Sequence, residues 1–111
     1  MFDAKYEQLY IDERTVKEIN AFWEYFVQDE TQIINALYSK NKEYLSSFEN
    51  RLEKVFFRYE KKLRFSFEKR ENIFYFTIFY GRNSYLLTVG NELFSYKQNK
   101  LKNEWAFELK K

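Results

Sequence analysis

Apolar and polar positions change their spacing once along this chain, near residue 62, and the change divides it into a helical half and a strand half. Val16, Ile19, Trp23, Phe26, Ile33 and Leu37 fall on alternating three- and four-residue steps, one face of a helix, with Phe22, Val27 and Ile34 widening the stripe. Thr15-Val16-Lys17-Glu18 has the form of a capping box, so a helix is predicted over residues 15–38. At ~1.5 Å per residue it would be about 35 Å long, and Asp29-Glu30-Thr31-Gln32 offers a second cap where it can break. Leu45, Phe48, Leu52, Val55 and Tyr59 repeat the stripe and predict a second helix over residues 41–61. The short polar link between them implies an antiparallel pair.

From residue 62 the period becomes two. Leu63, Phe65 and Phe67 alternate with Arg64, Ser66 and Glu68, predicting a strand over residues 62–69 with one wet side. Ile73-Phe-Tyr-Phe-Thr-Ile-Phe-Tyr80 follows without a charge, the pattern of a central strand over residues 73–80. Phe74, Phe76, Ile78 and Tyr80 would lie under helices, with Trp23 and Phe26 against them, and Ile73, Tyr75, Thr77 and Phe79 would form a half-open face. Gly90-Asn91 suits a two-residue hairpin, so strands are predicted over residues 85–89 and 92–97. The rival is an amphipathic helix on Leu86, Val89, Leu93 and Phe94, against which a mid-helix glycine counts about 1 kcal/mol. Trp105, Phe107 and Leu109 alternate with polar residues in a last strand over residues 104–109. The expected fold is α+β, a single domain over residues 1–111, with an N-terminal helix pair on one face of an antiparallel sheet of four to five strands. Residues 1–11, with Phe2, Tyr6, Leu9 and Tyr10, fit either a helical turn or an apolar arm.

Composition narrows the chemistry. An aromatic content of 23% supplies a core without staples, and 32% charged residues supply a wet surface. There are no cysteines and no histidines, which removes thiolate and imidazole ligands, disulfides and the commonest general base together. No metal and no cofactor is expected. The first residues lack a basic stretch followed by an apolar one, and no apolar run approaches ~18 residues, so a cytoplasmic protein with no membrane partner is expected. The net charge of +2 is unevenly spread: residues 1–30 hold eight acids against three bases, residues 31–111 nine against sixteen. This is either a dipolar, solvated surface or a basic face for an anionic partner.

Phe22-Trp23-Glu24-Tyr25-Phe26 with Asp29-Glu30, a second helix, the Leu63-x-Phe65-x-Phe67 strand, a central strand closing on Gly81 and the late Trp105-Ala106-Phe107 resemble a group of small uncharacterised bacterial α+β proteins built as two helices followed by a sheet. The resemblance spans most of the chain and implies the α+β fold but no activity. Two features depart from it: that group has a helix between the glycine turn and the final tryptophan, and a proline before that tryptophan, which is absent here.

No triad or phosphate-cradling loop can be assembled, since Gly81 and Gly90 stand alone. Acid pairs such as Asp12-Glu13 read as solvated charge, and no enzyme is expected. Glu30, on the apolar stripe, is the one candidate for a perturbed acid with a raised pKa, against the plainer reading of a carboxylate at a helix break or paired with a cation. Two functions survive. One is a small non-catalytic protein-binding module, of accessory, inhibitor or immunity type and with self-association included, using Tyr75, Thr77, Phe79, Tyr85 and Tyr96. The alternative is a nucleic-acid-binding domain with a basic, tyrosine-rich sheet face. Against the alternative, the central strand lacks the basic-glycine-aromatic pattern of ribonucleoprotein sheets.

Overall fold

The computed structural model of the chain describes residues 10–97 and 99–111, so Phe2, Tyr6 and Leu9 lie outside it. In chain order the elements are α1 (Glu13–Gln28), α2 (Glu30–Ser39), α3 (Lys42–Val55), β1 (Arg64–Arg70), β2 (Ile73–Phe79), α4 (Ser84–Ser95) and β3 (Glu104–Lys110). The fold is α+β, with four helices and a three-stranded mixed sheet of order β1-β2-β3 among the described residues.

The first helix begins earlier than the capping box suggested. Asp12 is its N-cap and accepts from the Thr15 amide at 2.8 Å, while the Thr15 hydroxyl lies 2.8 Å from Asp12 Oδ1 and 3.0 Å from the Tyr10 carbonyl. Thr15 is therefore a buried first-turn residue and not the cap. The stripe does break at Asp29, which ends α1 and starts α2. Asp29 gives no side-chain cap because its Oδ2 accepts from the Tyr44 hydroxyl at 2.9 Å, and Tyr44 in turn accepts from Tyr25 at 3.2 Å. The α3 helix stops at Val55, short of residue 61: Phe56 is buried and turns the chain inward, and the Arg58 amide donates to the Tyr85 hydroxyl at 3.2 Å.

The predicted hairpin over residues 85–97 is corrected to the rival helix, α4. Asn83 caps it, accepting from the Leu86 amide at 3.0 Å, and Leu86, Val89 and Leu93 bury at helical spacing. Burying three such side chains is worth about 1.5–3 kcal/mol each, which exceeds the cost of one mid-helix glycine. Gly90 is there for space: a Cβ on it would come within 2.6 Å of Leu109 Cδ2. With a crossover helix in place β3 returns to the same end as β2 and pairs with it in parallel, Phe76 opposite Phe107. The sheet is thus three strands and mixed, where four to five antiparallel strands were expected; β1 and β2 alone form an antiparallel hairpin.

The helices lie on one face of the sheet. Phe26 stacks on Phe76, Phe48 meets Phe65, Phe67 and Phe76, and Phe94 packs on Phe76 and Phe107. Trp23 reaches past β2: its ring meets Phe107 at 5.0 Å and its indole donates to the Leu93 carbonyl at 2.8 Å. One core results, centred on Phe26, Phe48 and Phe76, all fully buried.

Candidate functional site

Because the side chains of a strand alternate, the other face of the sheet is built from Ile73, Tyr75, Thr77 and Phe79 of β2 and their neighbours. The register lays these out in rows: Arg64, Phe79 and Lys110; Ser66, Thr77 and Glu108; Glu68, Tyr75 and Ala106; Arg70, Ile73 and Glu104. No described helix covers this face. An apolar strip along β2 and Ala106 is left with charged flanks on both edge strands.

The strip is not bare. The Arg70 guanidinium lies 3.9 Å from the centre of the Tyr75 ring and within ion-pair distance of Glu68 (3.5 Å) and Glu108 (3.7 Å). Its stem and head cover apolar surface while the charge keeps one side in water. Arg64 sits in the same way over Phe79, at 5.6 Å. Thr77, flanked by Ser66 and Glu108, is only 5% exposed. Glu108 Oε1 is buried and accepts no hydrogen bond from the described residues; Arg70 Nη2 at 3.7 Å is its nearest cation, too far for a hydrogen bond.

Of the residues singled out in the sequence, Tyr75, Thr77 and Phe79 are brought together here. The two others are elsewhere. Tyr85 is a core residue at 7% exposure, edge-on to Tyr10 with ring centres 5.2 Å apart, and burial raises its phenol pKa. That corrects its reading as an exposed aromatic. Tyr96 is half-buried at the C-cap of α4, on the helical side. Arg70 and Glu108 were missed. Alternation along the last strand puts Glu108 on a wet face, whereas Arg70 falls in the turn expected after residue 69; antiparallel pairing of β1 with β2 sets Arg70 beside Ile73, and parallel pairing of β2 with β3 sets Glu108 beside Thr77.

Glu30 is anomalous, as its place on the stripe implied, but in the opposite sense. It is 2% exposed and accepts four hydrogen bonds: from the Lys102 amide at 2.7 Å, the Asn103 amide at 2.8 Å, Asn103 Nδ2 at 3.0 Å and Trp105 Nε1 at 2.9 Å. Burial pushes its pKa up, yet the amide, indole and side-chain donors together outweigh burial and hold it below the ordinary value. The expected raised pKa is therefore corrected to a lowered one. A carboxylate so held stays ionised and has no proton to give; its partners are two main-chain amides, the Asn103 carboxamide and an indole instead of a lysine or arginine.

Among the described residues no three acidic groups converge as metal ligands, and no helix is long and apolar enough to cross a membrane. Comparison with known proteins finds no matching family model, no matching curated protein and no matching solved structure.

Proposed function

We propose that the protein is a small non-catalytic binding module that takes a partner protein on the uncovered face of its sheet. The observation that carries this reading is the strip Ile73, Tyr75, Thr77, Phe79 and Ala106, apolar at the centre and charged on both edges, over which no described helix packs. An apolar centre within a polar rim is the usual anatomy of a protein interface. Two features state what the partner must present. Glu68 and Glu108 make the middle of the rim acidic, so a cation of the partner belongs there. Arg64 and Lys110 make one end of the strip basic, so a carboxylate belongs there.

A second copy of the chain is included in this reading, since a sheet face can pair with itself about a two-fold axis. The test combines light scattering across a concentration series with recovery of one stoichiometric partner from source cells. The Tyr75→Ser/Phe79→Ser double variant should lose self-association or capture with its circular dichroism intact, and Arg64→Glu should weaken it. Undiminished association by the double variant would remove the face from consideration.

A further inference from the structure

Three segments meet at the end of the sheet where β2 and β3 finish. The β2 strand turns through Gly81, at φ 58°, and Asn83 into α4; the link between α3 and β1 arrives beside it; and β3 runs out at Lys110 and Lys111. Main-chain bonds fix the junction: the Tyr80 amide donates to the Lys110 carbonyl and the Asn83 amide to the Tyr80 carbonyl, each at 2.9 Å. The segments enclose a cleft of about 480 Å³. That volume lies within the ~300–1,000 Å³ of small-molecule sites.

The lining charges are strongly biased. The side chains of Arg58, Lys61, Arg64, Arg82 and Lys111 face a single acidic side chain, Glu60, in a chain that holds 19 Lys and Arg and 17 Asp and Glu overall. Arg58 is committed to Asp12. The other four cations have no described carboxylate within ion-pair distance. Cations crowded without counter-charges repel one another, and an anion relieves that cost. The cleft also sits outside the carboxyl ends of two parallel strands, beside the N-terminus of α4, whose dipole favours negative charge. Tyr59, Phe79 and Tyr80 give it an aromatic wall, and Gly81, Asn83 and Leu86 complete the lining.

We infer that this cleft binds a small phosphorylated ligand carrying a planar ring, of the mononucleotide class, with its phosphate among Lys61, Arg64, Arg82 and Lys111 and its ring against the aromatic wall. The site shares only Arg64 and Phe79 with the proposed protein-binding strip. A nucleic-acid chain fits less well, because beyond Arg64 and Lys110 the sheet face presents Glu68, Glu104 and Glu108, which repel a continuing phosphate backbone.

The test is calorimetric titration of the intact protein with AMP, ATP, inorganic phosphate and a ten-residue single strand at low and near-physiological salt. AMP or ATP should bind saturably, more tightly than inorganic phosphate. Arg82→Glu and Lys111→Glu should each weaken that binding by about tenfold or more, as loss of a charge-assisted contact does. Lys97→Glu, the same change of net charge away from the cleft, should leave it within about twofold, since distant surface charges are screened. Circular dichroism of each variant checks the fold. The inference is overturned by no saturation up to about 1 mM ligand, by equal weakening in Lys97→Glu, by inorganic phosphate binding as well as AMP, or by the single strand binding more tightly than either nucleotide.

Discussion

Trp105 donates its indole N–H to Glu30 at 2.9 Å, joining the last strand to the first helical break across 75 residues of sequence. Together with the Lys102 and Asn103 amides, this bond ties the approach to β3 onto the helical layer, so the carboxylate determines where the strand enters the sheet. Glu30→Gln keeps the shape but swaps one acceptor oxygen for a donor that faces other donors. It should cost about 3 kcal/mol in urea unfolding. Trp105 fluorescence should change in the folded baseline as well. A loss under about 0.5 kcal/mol would mean the carboxylate is not holding the strand.

The dependence of stability on pH follows from which groups are shifted. The Thr15 amide, and after it the Arg58 guanidinium and the Thr15 hydroxyl, hold the Asp12 carboxyl down to about 2 from 3.8, and Glu30 is held below 4.5. Depressed acids contribute stability above their unfolded values and lose it as pH falls through the folded ones. Stability should therefore drop between about pH 4.5 and 2. Tyr25, Tyr44 and Tyr85 are raised above 10, chiefly by burial, so they favour the folded state until the unfolded phenols ionise above 10. The chain has no histidine, so stability should be nearly flat from about pH 5 to 9. A steep slope within that range, in thermal melts at constant ionic strength, would contradict these assignments.

The helix pair, its break at Asp29 and the central strand were legible because each rests on a local period that burial enforces along one face. The α4 helix was not, because its sequence carries hairpin chemistry at Gly90-Asn91, and the reason for that glycine is a contact with Leu109 nineteen positions on. Strand number and direction failed with it, since parallel pairing requires that crossover helix. At Glu30 the sequence showed the anomaly but not its sign. The donors that lower its pKa, two main-chain amides, the Asn103 side chain and the Trp105 indole, lie more than 70 residues away, and no local spacing links them to it. The outer face was readable along β2 alone; Arg70 and Glu108 joined it only through pairing.

Gly90 supplies a test of that helix packing with a change of sign. Gly90→Ala should destabilise by about 1 kcal/mol, since overpacking against Leu109 exceeds the gain in helix propensity. In a Leu109→Ala background the same change should stabilise by about 1 kcal/mol, because only the propensity gain remains. Equal effects in the two backgrounds, by urea unfolding of all four proteins, would show that the close approach does not limit residue size.

Trp23 is 1% exposed and spans α1, α4 and β3. Trp23→Phe should cost about 1–2 kcal/mol through the orphaned Leu93 carbonyl and lost volume. Trp23→Ala should cost about 3–5 kcal/mol. A melting temperature unchanged within about a degree in the alanine variant would refute this placement.

The charge pattern of the sheet face separates the two surviving function classes. If tyrosines on this face stacked bases while lysines and arginines held phosphates, each phosphate contact would release counterions, and log K would fall with log salt by about 0.7 per contact on a single strand. The expected outcome is the other one. Tyr75 is already stacked by Arg70, Arg70 is already engaged by Glu68 and Glu108, and Glu104 stands beside Ile73 at the far end. A single strand laid along β2 would have to displace Arg70 and then lie against three carboxylates. Along α3, Glu43, Glu49 and Glu53 likewise alternate with Arg51 and Lys54. Association with labelled single strands should therefore be weak at about 150 mM salt, where exposed charges are screened beyond about 8 Å. Fluorescence anisotropy measures it directly. A dissociation constant below about 1 μM for a single strand, lost in Tyr75→Ser, would assign the sheet face to nucleic acid and displace the protein-binding reading.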